Sequence, residues 1–137
     1  MAFSKALLDT SILSAIMKGL EGVMPTARAY LAEHGVFTIS IITRYEVLRG
    51  LRAKKAVAQQ AAFDRLCGAS EVLPLTDDVI GKAAEVYADL KTRGALIGDG
   101  DILIGATALV HGLHIVTDNE EHFRRIPGLA VDNWLRG

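Results

Sequence analysis

The sequence predicts an α/β fold built on a mostly parallel, buried sheet. Three observations carry this expectation. Short apolar runs alternate along the chain with segments of helical spacing, the order of β and α units in a parallel-sheet protein. Those runs are nearly continuous in apolar character, as strands covered on both faces are. Half of the 137 residues are hydrophobic, enough to fill a core without disulfides or a structural metal.

"KALLD" is short and apolar and ends at Asp9, as a buried strand does. Thr10 and Ser11 follow, both good helix N-caps, and "SILSAIMKGL" continues with helical spacing. Pro25 stands where a first helical position would be and opens "PTARAYLAEHG", which Gly35 closes. "VFTIS" reads as a strand. From "IITRYEVLRGL" to "AAFDRLCGA" the spacing predicts two helices, divided near Gly50–Lys55. "EVLPL" is a short strand. "TDDVIGKAAEVYADLKTRG" opens with a capping threonine and two acids and ends in basic residues and glycine, so it is a well-marked helix. "DILIGATALVHG" follows as a helix, "LHIVT" as a strand, "NEEHFRRI" as a short helix and "LAVDNW" as a last strand.

The length suits one domain, residues 1–137, and no repeat or linker-like stretch divides it. Net charge is −1, so nucleic acid would have to be met by local basic patches. Cys67 is the single cysteine and reads as a buried, reduced thiol; no Cys/His zinc spacing exists. The N-terminal "MAFSKALLDTSILSAIMKGL" superficially resembles a signal peptide, but Asp9 interrupts it and no small-residue cleavage pattern follows. No apolar run approaches the length of a bilayer span. The expectation is a soluble, cytoplasmic protein with no membrane association.

Carboxylates recur at the ends of these elements. Asp9 ends the first strand, Asp118 follows the strand "LHIVT", Glu46 lies in the helix after "VFTIS", and Asp99 and Asp101 open the helix before "LHIVT". Open parallel sheets build their sites at the carboxyl ends of strands, so these acids stand where they could converge. Clustered carboxylates repel one another, and hard oxygen ligands around Mg²⁺ or Mn²⁺ resolve that repulsion. Each acid also has a plain structural reading. Asp9 could cap the helix that follows, and Glu46 could be solvated or paired with Arg49. Asp101 could be an N-cap with Asp99 just outside it, and Asp118 could favour a short helix N-terminus.

The motif order decides between these readings. "LLDTSIL", "ISIITRYEVLRG", "GALIGDGDILIGATALVHGLHIVTDN" and "HFRRIPGLAVDNW" together resemble the PIN-domain family, and most of all its VapC-type toxins from toxin–antitoxin pairs. The resemblance covers almost the whole chain. It implies a three-layer α/β/α sandwich and a Mg²⁺- or Mn²⁺-dependent endoribonuclease that cleaves RNA. It also implies a cognate VapB-like antitoxin and a homodimer. The C-terminal run is similar to that of members described as cleaving initiator tRNA. The family's first three acids fall on Asp9, Glu46 and Asp101, which the resemblance makes metal ligands, and Asp99 is a site-lining acid. The fourth acid falls on Asp118, or the site runs with three, because the position before Phe123, often acidic in relatives, is His122. Ser11, Thr117 and Asn119 read as hydrogen-bonding residues that line the site. Arg44, Arg49 and Arg52, with Lys54 and Lys55 behind them, are the candidate phosphate contacts, joined by Arg124 and Arg125. The apolar faces of "SILSAIMKGL" and "RAYLAEHG" could meet an antitoxin helix or a second protomer.

Rival classes lack their own signatures. A haloacid dehalogenase-type phosphatase needs a second aspartate two residues after the first, where Ser11 stands. A nucleotide-binding Rossmann domain needs a glycine-rich turn after its first strand. "DGDILIG" lacks the later ligands of a calcium loop. A non-catalytic PIN-like module that binds RNA or a partner is the remaining alternative.

Overall fold

Five parallel strands lie in the order β3-β2-β1-β4-β5, with the first strand at the centre. They are β1 (Ala6–Leu8), β2 (Thr38–Ser40), β3 (Glu71–Leu73), β4 (His114–Val116) and β5 (Val131–Asp132). The computed structural model describes residues 3–135, and the outermost residues of the expected domain, 1–2 and 136–137, lie outside that range. The helices are α1 (Thr10–Met17), α2 (Met24–His34), α3 (Ile41–Ala53), α4 (Val57–Gly68), α5 (Asp77–Thr92), α6 (Asp99–Val110) and α7 (Glu120–Phe123).

The neighbouring strands β1 and β2 are fully buried, and the edge strands β3 and β5 are partly exposed. Within β1, Ala6 and Leu8 point to one side and Leu7 to the other, and all three are fully buried. On the first side lie Ile12, Leu13, Tyr30, Phe63 and Trp134, from α1, α2, α4 and the C-terminal segment. On the other lie Val79, Leu90, Ile104, Phe123 and Ile126, from α5, α6 and the segment around α7. These two cores with the sheet between them form the expected three-layer α/β/α sandwich.

Local chemistry sets several boundaries. Thr76 caps α5, its hydroxyl accepting from the Val79 N–H at 3.2 Å, with Asp77 and Asp78 in the first turn. Ser40 caps α3 in the same way, accepting from Ile42 N–H at 3.0 Å. Gly35 closes α2 at a φ of 80°, a left-handed conformation that suits glycine.

Two boundaries and the burial of one residue differ from expectation. The helix α6 starts at Asp99 rather than Asp101, because Gly98 takes the extended N-cap position. Only Val131 and Asp132 of the expected 129–134 strand pair with β4, since Leu129 turns into the core beside Ile126. Cys67 is half-buried at the end of α4, with the Arg44 guanidinium beside it. Among the described residues no helix is long and apolar enough to cross a membrane.

The chain runs outward from β1 to β2 and β3, then returns to the opposite side of β1 for β4 and β5. The direction of winding therefore reverses between β1 and β4. A crevice forms at the carboxyl ends of strands at such a point. Leu8 pairs with Val116 there, and the Asp9 N–H donates to the Val116 carbonyl at 2.9 Å.

One position tests how tightly α6 is seated. A Cβ at Gly105 would stand 2.5 Å from Ile126 Cδ1 and 3.5 Å from Leu129 Cδ2, both in the packed core. Overpacking costs about 1–3 kcal/mol, against a helix-propensity gain of about 1 kcal/mol. We expect Gly105→Ala to lose on the order of 1 kcal/mol in urea unfolding.

Candidate active site

Three segments far apart in sequence bring carboxylates to this crevice. Asp9 follows β1 directly and takes the extended N-cap position of α1, yet its side chain makes no capping hydrogen bond. Its Oδ2 instead accepts from the Thr117 hydroxyl at 2.7 Å and the Ser11 hydroxyl at 3.0 Å. Those hydroxyls in turn accept backbone N–H groups, Thr117 from Asn119 at 2.9 Å and Ser11 from Asp118 at 3.1 Å. Asp9 is thereby tied to the loop after β4. It is 5% exposed. Burial pushes its carboxyl above the ordinary range, the Thr117 hydroxyl and Thr10 N–H pull it back, and the Asp101 charge raises it again.

Glu46 projects from α3 toward α1, and its Oε1 accepts from the Thr10 hydroxyl at 2.6 Å. Its other oxygen rests against the first turn of α6. A Cβ at residue 100 would stand 2.7 Å from Glu46 Oε2, so glycine is what allows this approach. The carboxylate thus lies at the N-terminal end of α6, where the helix dipole favours an anion.

Asp101 sits in that same first turn. Its Oδ2 lies 3.0 Å from His122 Nδ1 and 3.3 Å from Asn119 Nδ2, and the Asn119 amide is itself 2.8 Å from His122 Nδ1. Asp99 is two residues earlier, about 200° away around the helix. It lines a groove between α5 and α6 with Ile80, Ala83, Tyr87 and Leu103, so the two aspartates face different surroundings.

Asp118 is exposed and turned toward the end of the sheet, where its Oδ1 accepts from Asn133 Nδ2 at 3.1 Å. The same amide donates to Glu120 Oε2 at 3.0 Å. The residue that the structure brings to Asp101 is His122. The sequence shows it only as a basic residue where an acid was sought.

Two of the expected basic contacts have protein neighbours of their own. Arg44 lies beside Cys67, Arg49 places its guanidinium 5.1 Å from the Tyr45 ring centre, and Arg52 is exposed. The cations that share a pocket with Glu46 are Lys18 and Lys54. Spacing was the signal for both: Thr10, Ser14 and Lys18 fall four apart on α1, and Glu46, Gly50 and Lys54 four apart on α3.

A sequence model of the PIN domain matches residues 6–129. The chain belongs to the PIN-domain family. Its relatives there are VapC proteins. Ribonuclease VapC1 of Methanocaldococcus jannaschii is 33% identical over 123 residues, 90% of this chain and 82% of that protein. The tRNA(fMet)-specific endonuclease VapC of Salmonella typhimurium is 31% identical over 99 residues, 70% of this chain and 74% of that protein. Among solved structures, a chain of the Rickettsia felis VapBC2 complex bound to a promoter DNA fragment superposes with a TM-score of 0.84. It is 26% identical, with 94% of this chain and 98% of that one covered. A chain of DNA-bound VapBC from Salmonella typhimurium gives the same TM-score at 25% identity, covering 96% and 99%. The PIN fold here is therefore that of VapC toxins.

The buried Asp9 gives a pH test in the metal-free protein. Its folded carboxyl titrates above the unfolded value of 3.8, so its ionisation opposes folding. That cost is absent below the unfolded value and fully present above the folded one. Asp9→Asn, which can still accept both hydroxyls, should raise the urea midpoint at pH 7 in EDTA. The difference should vanish as pH falls to about the ordinary carboxylate range.

Proposed function

We propose that this PIN domain, carried by residues 1–137, is a metal-dependent endoribonuclease of the VapC type. The observation that carries the reading is the arrival of Asp9, Glu46 and Asp101 from three distant segments at one crevice. The donor set fits a hard divalent cation such as Mg²⁺ or Mn²⁺. Asp9 supports this independently, since burial and the Asp101 charge both disfavour its ionised form and a cation there would offset both. Among the described residues no three His, Cys, Asp or Glu side chains stand at common ligand distance, so the carboxylates would have to close on the ion.

Asp9, Glu46 and Asp101 would hold the cation. When bound, it supplies an activated water and offsets the charge that develops on the phosphodiester. The remaining work is done by hydrogen bonds on this chain. Ser11 and Thr117 aim Asp9 Oδ2, Thr10 aims Glu46, and Asn119 holds Asp101. His122 Nδ1 lies against Asp101 and helps to position it, and the site would run with three acids or with Asp118 as a fourth.

RNA as substrate is supported by the ribonuclease relatives, and tRNA by the tRNA(fMet)-specific relative from Salmonella. An RNA substrate implies action in the cytoplasm. A VapB-like antitoxin as partner is supported by the fold shared with chains of VapBC complexes. A homodimer is supported by the α5–α6 surface, where Ile80 and Tyr87 are 48% and 41% exposed beside Ala83 and Leu103.

The test is cleavage of total tRNA with Mn²⁺ or Mg²⁺, with and without EDTA. Discrete products that disappear in EDTA, and fall by about 100-fold or more in Asp101→Asn, support the reading. Cleavage that persists in EDTA contradicts the metal's role. Binding without any cleavage would mark a non-catalytic module. A second variant isolates Glu46. Gly100→Ala should displace its carboxylate and lower cleavage. Its stability in urea should hold or rise by up to about 1 kcal/mol, as alanine favours the helix.

A further inference from the structure

A pocket of about 290 Å³ lies between α1, α3 and the start of α4, and Glu46 and Thr10 form one of its walls. Its far end carries Lys18 and Lys54, both exposed. Neither lysine has an ion-pair partner among the described residues. Between the wall and the lysines runs an apolar floor of Met17, Val47 and Leu51.

The two helices build this pocket symmetrically. On α1 the lining positions are Thr10, Ser14 and Lys18, and on α3 they are Glu46, Gly50 and Lys54. Each set is spaced by four, so each forms one face of its helix. Each starts at the acidic crevice and ends, two turns or about 12 Å later, in a lysine. A Cβ at Gly50 would meet nothing within 4 Å, so the absent side chain leaves the pocket open in its middle. Lys55, the only non-glycine residue with a left-handed backbone among the described residues, makes the turn into α4 at a φ of 56°. L-residues adopt that conformation at a cost, and the chain accepts it next to Lys54.

We propose that this pocket is a nucleotide subsite for the RNA strand that enters the acidic crevice. Lys18 and Lys54 take a phosphate next to the one under attack, and Met17, Val47 and Leu51 take the apolar face of its nucleoside. Two observations select this occupant. Paired cations without carboxylate partners complement a phosphodiester chain. The pocket's volume also suits a nucleotide-sized group, and a helix about 10 Å across could enter it only by its side chains. The subsite rests on the endoribonuclease reading and deepens it, because it gives the substrate a direction across the site. It also accounts for RNA binding beside three carboxylates: the cations stand far enough from the crevice to leave the acids unpaired, yet close enough to hold the same strand.

The test measures binding of a labelled single-stranded oligoribonucleotide, by fluorescence anisotropy, to the full chain in an Asp101→Asn background that leaves the strand uncut. A double variant, Lys18→Gln with Lys54→Gln, removes both cations at exposed positions. Each phosphate contact on a single strand contributes about 0.7 to the slope of log affinity against log salt. Between 50 and 200 mM KCl the affinity gap between parent and double variant should therefore narrow about 2.6-fold. Gly50→Leu, whose side chain enters open space, should block the pocket and reproduce the loss of slope with both lysines present. Lys82→Gln with Lys91→Gln on α5, an equal change of charge elsewhere, should keep the parent slope.

A double variant with the parent slope overturns the subsite. So does a double variant that keeps RNA binding and loses binding of an acidic poly-glutamate peptide, since the pocket would then serve a protein partner. Either result, in a wild-type chain that still cleaves RNA, leaves the nuclease reading standing. A wild-type chain that neither binds nor cleaves RNA overturns both.

Discussion

Asp9 ends the central strand with its carboxylate shut away from solvent, and much of the surrounding structure serves to hold that charge. A buried anion without partners is strongly disfavoured. Here two hydroxyls and a backbone N–H meet it, and each hydroxyl also accepts an N–H from the loop after β4. The carboxylate is thus a junction between the first strand, the first helix and the β4–α7 loop. Its position is fixed by the strand pairing: Leu8 opposite Val116, and the Asp9 N–H on the Val116 carbonyl. Moving the backbone that carries this carboxylate would mean breaking the middle of the sheet.

The other two acids reach the same place by helices. Glu46 extends from α3 to α1 and to the first turn of α6, and Gly100 leaves room for it. Asp101 is carried by α6, whose apolar stretch Ile102 to Ala108 is almost wholly in the core. That buried helix works as a rigid anchor, so a partly exposed carboxylate is presented from a fixed element. The arrangement stores like-charge repulsion in a confined space. Stability is given up locally for a site that the proposed cation would complete, a familiar trade in functional sites.

Much of this is legible in the sequence. The alternation of apolar runs and helical segments is enough for the parallel sheet, and the motif order is enough for the family. Asp9, Glu46 and Asp101 stand out because they end or open those elements. Other features depend on directions that a linear pattern does not show. Asp99 and Asp101 look like a pair in "GDGD", yet the helix starts at Asp99 and turns them to different sides. Asp118 looks like a ligand by position, yet Asn133 draws it toward the end of the sheet. Arg44, Arg49 and Arg52 look like a basic stretch, but Arg44 lies beside Cys67 and Arg49 against the Tyr45 ring. Lys18 belongs to no motif and becomes relevant only when α1 and α3 lie side by side. Each of these is a question of which way a side chain points, decided by tertiary packing.

The central claim is that Asp9 and Asp101 share one divalent cation, and a double-mutant cycle on Mn²⁺ affinity, read by calorimetry, tests it most directly. If both hold the same ion, Asp9→Asn and Asp101→Asn each weaken binding by about tenfold or more, and the double variant binds little worse than the weaker single one. Losses that simply add, or a wild-type chain that takes up no Mn²⁺, would contradict the account.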